Sequence, residues 1–182
     1  MKDSGAGGAS GTIPAESRIV VGVSGSLGSI AALHHAAAEA RRTDVELLAV
    51  LCWTPPGDEL GYRRTPYPPA LTAGRDAAVA RLRQALDEAF AGHHAGVRLR
   101  CQAVRGDTGR TLVGCADRPD DLLVLGAGHE RGRLSRLLRP SVAAYCVRHA
   151  TCPVLTVPRP ALQRDLEELE RGHGLRQSVT GS

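Results

Sequence analysis

Two glycine- and serine-rich segments hold most of what this chain could offer a ligand. One is Val23-Ser24-Gly25-Ser26-Leu27-Gly28-Ser29; the other opens at Gly126, runs through Gly128 and Gly132, and reaches Ser141-Val142. Each follows an apolar run and precedes a helix-forming one. That is the order in which α/β proteins present backbone amides and a helix start to phosphate. Arg131, Arg133, Arg136 and Arg139 fall within nine residues just before Ser141 and could hold an anion by charge. The blander alternative for the same residues is a pair of tight turns and a solvated basic loop. Pro140 stands directly before Ser141, where it removes one backbone donor and adds a ring.

Other side chains with chemical potential do not converge. His34 and His35 are adjacent on a helix and point to different faces, and His93-His94 sits at a helix end. Neither pair has a histidine or cysteine at i+4, so no metal is expected. Asp107 and Asp117 read as helix caps or stops. The five cysteines (Cys52, Cys101, Cys115, Cys146, Cys152) match no zinc spacing and read as small buried hydrophobes in a reducing compartment. With no acid, base or nucleophile gathered in one place, turnover is expected to be absent, or at most a slow ATPase acting by positioning.

The elements that must position the two loops follow from apolar patterning. Hydrophobic residues are 42% of 182, enough for one core, and only five are aromatic, so that core must be rich in Val, Leu and Ala. Residues 1–17 read as a disordered Gly/Ala/Ser tail. Short buried strands are expected at 18–23, 45–52, 121–126 and 154–157, and a half-exposed edge strand at 97–104. Helices are expected after Ser29, at 78–89, 108–116, 141–150 and 161–171. Residues 53–69, with five prolines, read as a long surface loop, a mobile lid or a partner-binding segment. The alternation predicts a doubly wound, mainly parallel sheet over 18–158, followed by a helix and tail over 159–182. If strands one and four are neighbours where the winding reverses, the two glycine loops face each other.

Charge and hydropathy bound the rest. Net charge is +4, with arginine supplying 22 of the 23 basic residues, too little to argue for nucleic acid. No apolar stretch approaches the ~20 residues of a membrane span, and the N-terminus lacks a signal-peptide core, so a cytoplasmic protein is expected.

Three segments, IVVGVSGSLGSIAAL, LLVLGAG and PSVAAYCVRHATCPVLTV, resemble the universal stress protein family over roughly residues 18–158. The resemblance implies a five-stranded parallel sheet in the order 3-2-1-4-5 with helices on both faces. It also implies a homodimer through the last strand, Val154–Val157, and an ATP site. The phosphate motif of the ATP-binding members is Gly, two residues, Gly, nine residues, Gly, Ser/Thr. It maps onto Gly126 and Ser141, with Gly128 or Gly132 as the second glycine and Pro140 where the third belongs. Val23, Ser24, Gly25, Ser26, Val50 and Val142 complete the implied site, Ser24 standing where those members carry a ribose-binding Asp and Val50 at an adenine-contacting position. Losing that Asp and the Pro140 donor costs on the order of 3–5 kcal/mol, or roughly two to three decades of affinity. Ser24–Ser29 is also similar to the SGGxDS loop of ATP pyrophosphatases but carries Gly28 where the Asp belongs, leaving magnesium-assisted adenylation without an anchor. The reading is a stress-response module with a weak adenine-nucleotide or anion site. The alternatives are a nucleotide-free homodimer recruiting a partner through its proline-rich segment and, last, an enzyme.

Overall fold

The computed structural model describes residues 17–91, 96–127 and 141–158. In chain order the elements are β1 (Arg18–Gly22), α1 (Leu27–Thr43), β2 (Glu46–Trp53), α2 (Asp58–Arg64), α3 (Pro68–Phe90), β3 (Leu99–Arg105), α4 (Thr108–Cys115), β4 (Leu122–Gly126), α5 (Val142–His149) and β5 (Val154–Val157). The strands form one parallel sheet in the order β3-β2-β1-β4-β5. Parallel strands covered on both faces need apolar side chains at consecutive positions, which is why β1 reads Ile-Val-Val without alternation.

Two cores follow from that. Ile19, Val21 and Val23 join Leu47, Ala49 and Leu51 beneath α1 and α3, whose alanines and Leu33 and Leu82 close that layer. Val20, Leu48, Val50, Leu123 and Leu125 face the opposite way and pack with Leu112, Ala116, Cys146 and Cys152. Small residues allow close approach between helices α4 and α5. The Tyr145 ring of α5 lies against Gly109 of α4, where an added Cβ would come within 2.7 Å of its Cδ1. Ser26 and Asp107 cap the helices that follow β1 and β3, and Ser141 caps α5, each accepting from the amide three residues on.

At the end of the sheet where β1 and β4 begin, Arg18 and Asp121 form the principal polar contact. Asp121 has no exposed side-chain surface and accepts from Arg18 N, Nε and Nη2 at 3.2, 3.2 and 2.7 Å and from Arg118 N at 3.3 Å. Arg18 Nη2 also reaches Asp117 at 2.7 Å and the Cys115 carbonyl at 3.3 Å. The hydrogen bond from Arg18 holds the Asp117 carboxyl below its ordinary range, and the bond to Asp121 raises the guanidinium further above its own.

Residues 53–69 are not one long loop. Pro55 is buried behind the end of β2, and Gly57, left-handed at φ +76°, starts the short helix α2. Pro68 and Pro69 occupy the first positions of α3, where their missing amides and fixed φ suit a helix start. Helix α3 therefore begins ten residues before Ala78, the first residue of its buried stripe. Its early part is held by Gly74, which takes the Trp53 ring where a Cβ would stand. Arg105 ties α2 down by donating to Glu59 at 2.7 Å and stacking 4.9 Å from the centre of the Tyr62 ring. Strand β3 is the expected edge, and Cys101, expected to be a small buried hydrophobe, is exposed on it, as is Leu99. The tail at 1–16, His93-His94 and the helix expected at 161–171 lie outside the described residues.

Arg18→Ala strands a buried carboxylate and should lower unfolding free energy by about 3–5 kcal/mol in a urea titration. Arg18→Met combined with Asp121→Leu should cost clearly less than that single change. Equal losses would mean that the pair contributes by packing alone.

Candidate functional site

The two glycine-rich segments meet at the opposite end of the same seam. Strands β1 and β4 are paired from Ile19↔Leu122 to Val21↔Val124, so their carboxyl ends leave the sheet side by side. The β1 segment passes into α1, in the layer with α3; α5, which follows β4 in the described chain, packs on the other face with α4. A reversal of winding of this kind is where an α/β sheet is expected to open a ligand crevice.

Gly126 shows how tightly they approach. A Cβ built there collides with the Gly28 carbonyl oxygen and stands 2.5 Å from its carbon and 2.9 Å from Ser29 N. Only glycine lets backbone lie on backbone at that distance. Its φ is not in the left-handed region, so the requirement is space rather than conformation. The constraint on Gly25 is the reverse: its φ of +80° favours glycine, while nothing lies within 4 Å of an added Cβ.

The β1 loop is organised by its own hydroxyls. Ser26 Oγ accepts from Ser29 N at 3.2 Å, lies 3.1 Å from Ser24 Oγ, and Ser29 Oγ donates to the Ser26 carbonyl at 2.8 Å. Ser24 and Gly25 are exposed, Ser26 is half-buried, and Ser29 is buried. Arg81 reaches across from α3 and donates from Nη2 to the Ser24 carbonyl at 3.2 Å. Val23 is buried, and its amide donates to the Val50 carbonyl at 2.8 Å.

Val50 has no exposed surface and turns its side chain into the α4-side core, so that side chain lines no opening. Ser141 and Val142 are both exposed at the start of α5, and Ser141 Oγ accepts from Ala144 N at 3.1 Å. Gly128, Gly132, Pro140 and the four arginines between them lie outside the described residues. The structure thus brings Gly126 together with the β1 loop. Two participants were not singled out from sequence as site residues. Gly28 could have been found as the glycine that replaces a side chain where α1 starts; Arg81 lies 57 residues from its partner and gave no local signal.

Among the described residues, the thiols on the α4 side are not activated. Burial pushes the Cys52 thiol up to about 12 and the Cys146 thiol up to about 11, so both stay protonated and poorly nucleophilic near neutrality. Among the described residues, no three His, Cys, Asp or Glu side chains are grouped to hold a metal ion. Among the described residues the β1 loop offers the Ser24 and Ser26 hydroxyls and the Arg81 guanidinium, which suit binding through phosphate or other acceptor-rich groups.

The family model described as the universal stress protein family matches residues 16–158. A solved universal stress protein in complex with cAMP is 28% identical, with a TM-score of 0.58 over 80% of this chain and 98% of its own. The universal stress protein UspA of Lactobacillus plantarum is 25% identical, with a TM-score of 0.57 over 78% of this chain and 97% of its own. A universal stress protein family member from Burkholderia pseudomallei is 26% identical, with a TM-score of 0.55 over 79% and 96%. No curated protein matches the chain.

Gly126→Ala should destabilise the protein by about 1–3 kcal/mol, because backbone rather than a flexible side chain must yield. Gly114→Ala in α4, where an added Cβ meets nothing within 4 Å, should be neutral or slightly stabilising. Urea titrations of the two variants check the contrast, which a neutral Gly126→Ala would remove.

Proposed function

The chain belongs to the universal stress protein family, and on that premise we propose that it is a stress-response module whose crevice between the β1 and β4 loops takes an adenine nucleotide. The supporting observation is the backbone contact of Gly126 with Gly28 and Ser29, which joins both glycine turns at the winding reversal. The cAMP complex of a similar protein makes a nucleotide the natural ligand class. Ser24, Gly25, Ser26, Gly126, Ser141 and the Val142 amide are the residues proposed to touch it, with Gly128 or Gly132 supplying further amides. Val23 and Val50, both buried, support the β1 loop from beneath through the bond from the Val23 amide to the Val50 carbonyl. Binding is weak for ATP, since Ser24 and Pro140 replace groups that hold it in the ATP-binding members. The role is binding and signalling rather than turnover.

Among the described residues no helix is long and apolar enough to cross a membrane, and the proposed setting is the cytoplasm. The proposed assembly is a homodimer through β5. Val154, Leu155 and Val157 are only half-buried on that edge strand, and an open apolar edge invites pairing. Pro153 and Pro158 bracket the strand and limit pairing to a short register. A nucleotide-free interaction module is the second reading, and this same edge favours it.

Native mass spectrometry of freshly purified protein, followed by melting with AMP, cAMP, ADP and ATP, separates the two. A ligand at a hundred times its Kd should add about 2.7 kcal/mol of stability, which for a domain of this size is a rise of roughly 5–10 °C. Empty protein whose melting no nucleotide moves would overturn the nucleotide reading. Light scattering at high micromolar concentration should give the mass of two chains, and Leu155→Lys should return one; a wild-type mass of a single chain would sink the dimer.

A further inference from the structure

We infer that Arg81 sets the ligand specificity of the crevice, so that the nucleotide this chain prefers carries a phosphate on the 2′- or 3′-oxygen of its sugar as well as at the 5′ end. The inference rests on the proposed reading of the crevice as a nucleotide site, and it concerns the lip formed by the β1 loop and α3.

The chemistry of that lip is one-sided. A guanidinium has five N–H donors and no acceptor. Arg81 engages the Ser24 carbonyl at 3.2 Å, and the remaining donors stand on an exposed residue beside exposed Ser24 and Gly25. Its charge also has no carboxylate partner among the described residues. Arg18 is neutralised by Asp121 and Asp117, Arg42 by Glu39 and Arg105 by Glu59. The loop that Arg81 touches contributes the Ser24 and Ser26 hydroxyls and no acid.

A free sugar diol is best held by a carboxylate, which accepts from both hydroxyls; an arginine in that region instead accommodates a sugar phosphate. Ser24 Oγ already accepts from Ser26 N at 3.4 Å, which leaves it one acceptor position and no charge, and Arg81 cannot accept at all. A phosphate oxygen satisfies both, since it accepts from the guanidinium and from a seryl O–H, and charge-assisted bonds of this kind are the stronger ones. The lip also has room, because nothing lies within 4 Å of a Cβ position on Gly25.

Calorimetry on the full chain at low, fixed ionic strength would compare 5′-AMP, adenosine 2′,5′-bisphosphate and adenosine 3′,5′-bisphosphate. The expected result is a preference of about tenfold or more for one bisphosphate over 5′-AMP, and which isomer is preferred identifies the oxygen. Arg81→Gln should collapse that ratio to about one, and Arg81→Lys should restore part of it; circular dichroism checks that both variants fold. A wild-type ratio near one, or a ratio that Arg81→Gln leaves intact, would overturn the inference while leaving a nucleotide site standing. If no nucleotide binds at all, melting with inorganic pyrophosphate decides the remainder. A rise in the wild type that Arg81→Gln abolishes would keep the anion preference and discard the nucleotide reading; no rise would discard both.

Discussion

A carboxylate without contact to solvent must find its donors inside the protein, and Asp121 finds four: three on Arg18 and one on the Arg118 amide. These bonds join the first residue of β1 to the residue preceding β4, across more than a hundred positions of chain. Parallel neighbours have no turn to set their alignment. A slip of one residue between β1 and β4 would strand a buried charge, so the pair makes slipped alignments costly as well as stabilising the native one. The alignment of Val21 with Val124, and with it the level at which the two chains leave the sheet, follows from that anchor.

The far end of the seam inherits this precision. Gly126 and Gly28 can touch backbone to backbone only if β1 and β4 end at matching heights and α1 turns back at once. Ser26 enforces that turn by capping α1, and Gly25 supplies the left-handed step before it. On the β1 side of the seam the hydroxyls, the Ser24 carbonyl and Arg81 are already engaged with one another. Pre-organised donors lose little freedom when a ligand arrives.

The fold was largely legible because each strand and helix announces itself locally. Ile19-Val20-Val21 and Leu123-Val124-Leu125 are uninterrupted apolar runs, and Asp107 and Ser141 stand where helix caps belong. The proline-rich segment misled because proline stops a helix and also starts one; Pro68-Pro69 does the second, and nothing within the segment tells the two apart. The strand order rested on a resemblance rather than on patterning. The close approach at Gly126 was readable as a glycine at a strand end. The direction of the Val50 side chain was not, since a strand buried on both faces gives no sign of which way a valine points. Arg81 was invisible for a different reason: it is one of 22 arginines, and only the packing of α3 beside the β1 loop selects it.

Sulfur is arranged around α4 in a way that bears on life under oxidative conditions. The sulfhydryls of Cys52, Cys146 and Cys152 each point at a carbonyl of that helix or its cap, those of Thr108, Gly109 and Ala116, at 3.9 Å. Cys146 and Cys152 are enclosed in the core there, and burial keeps them and Cys52 as neutral thiols. Peroxides and electrophiles attack thiolates, so their access to Cys146 and Cys152, unlike half-exposed Cys52, waits on α4 lifting from the sheet. Damage to those two sulfurs would then record how often the protein opens, which makes them a gauge of its own breathing rather than sentinels for the surrounding chemistry.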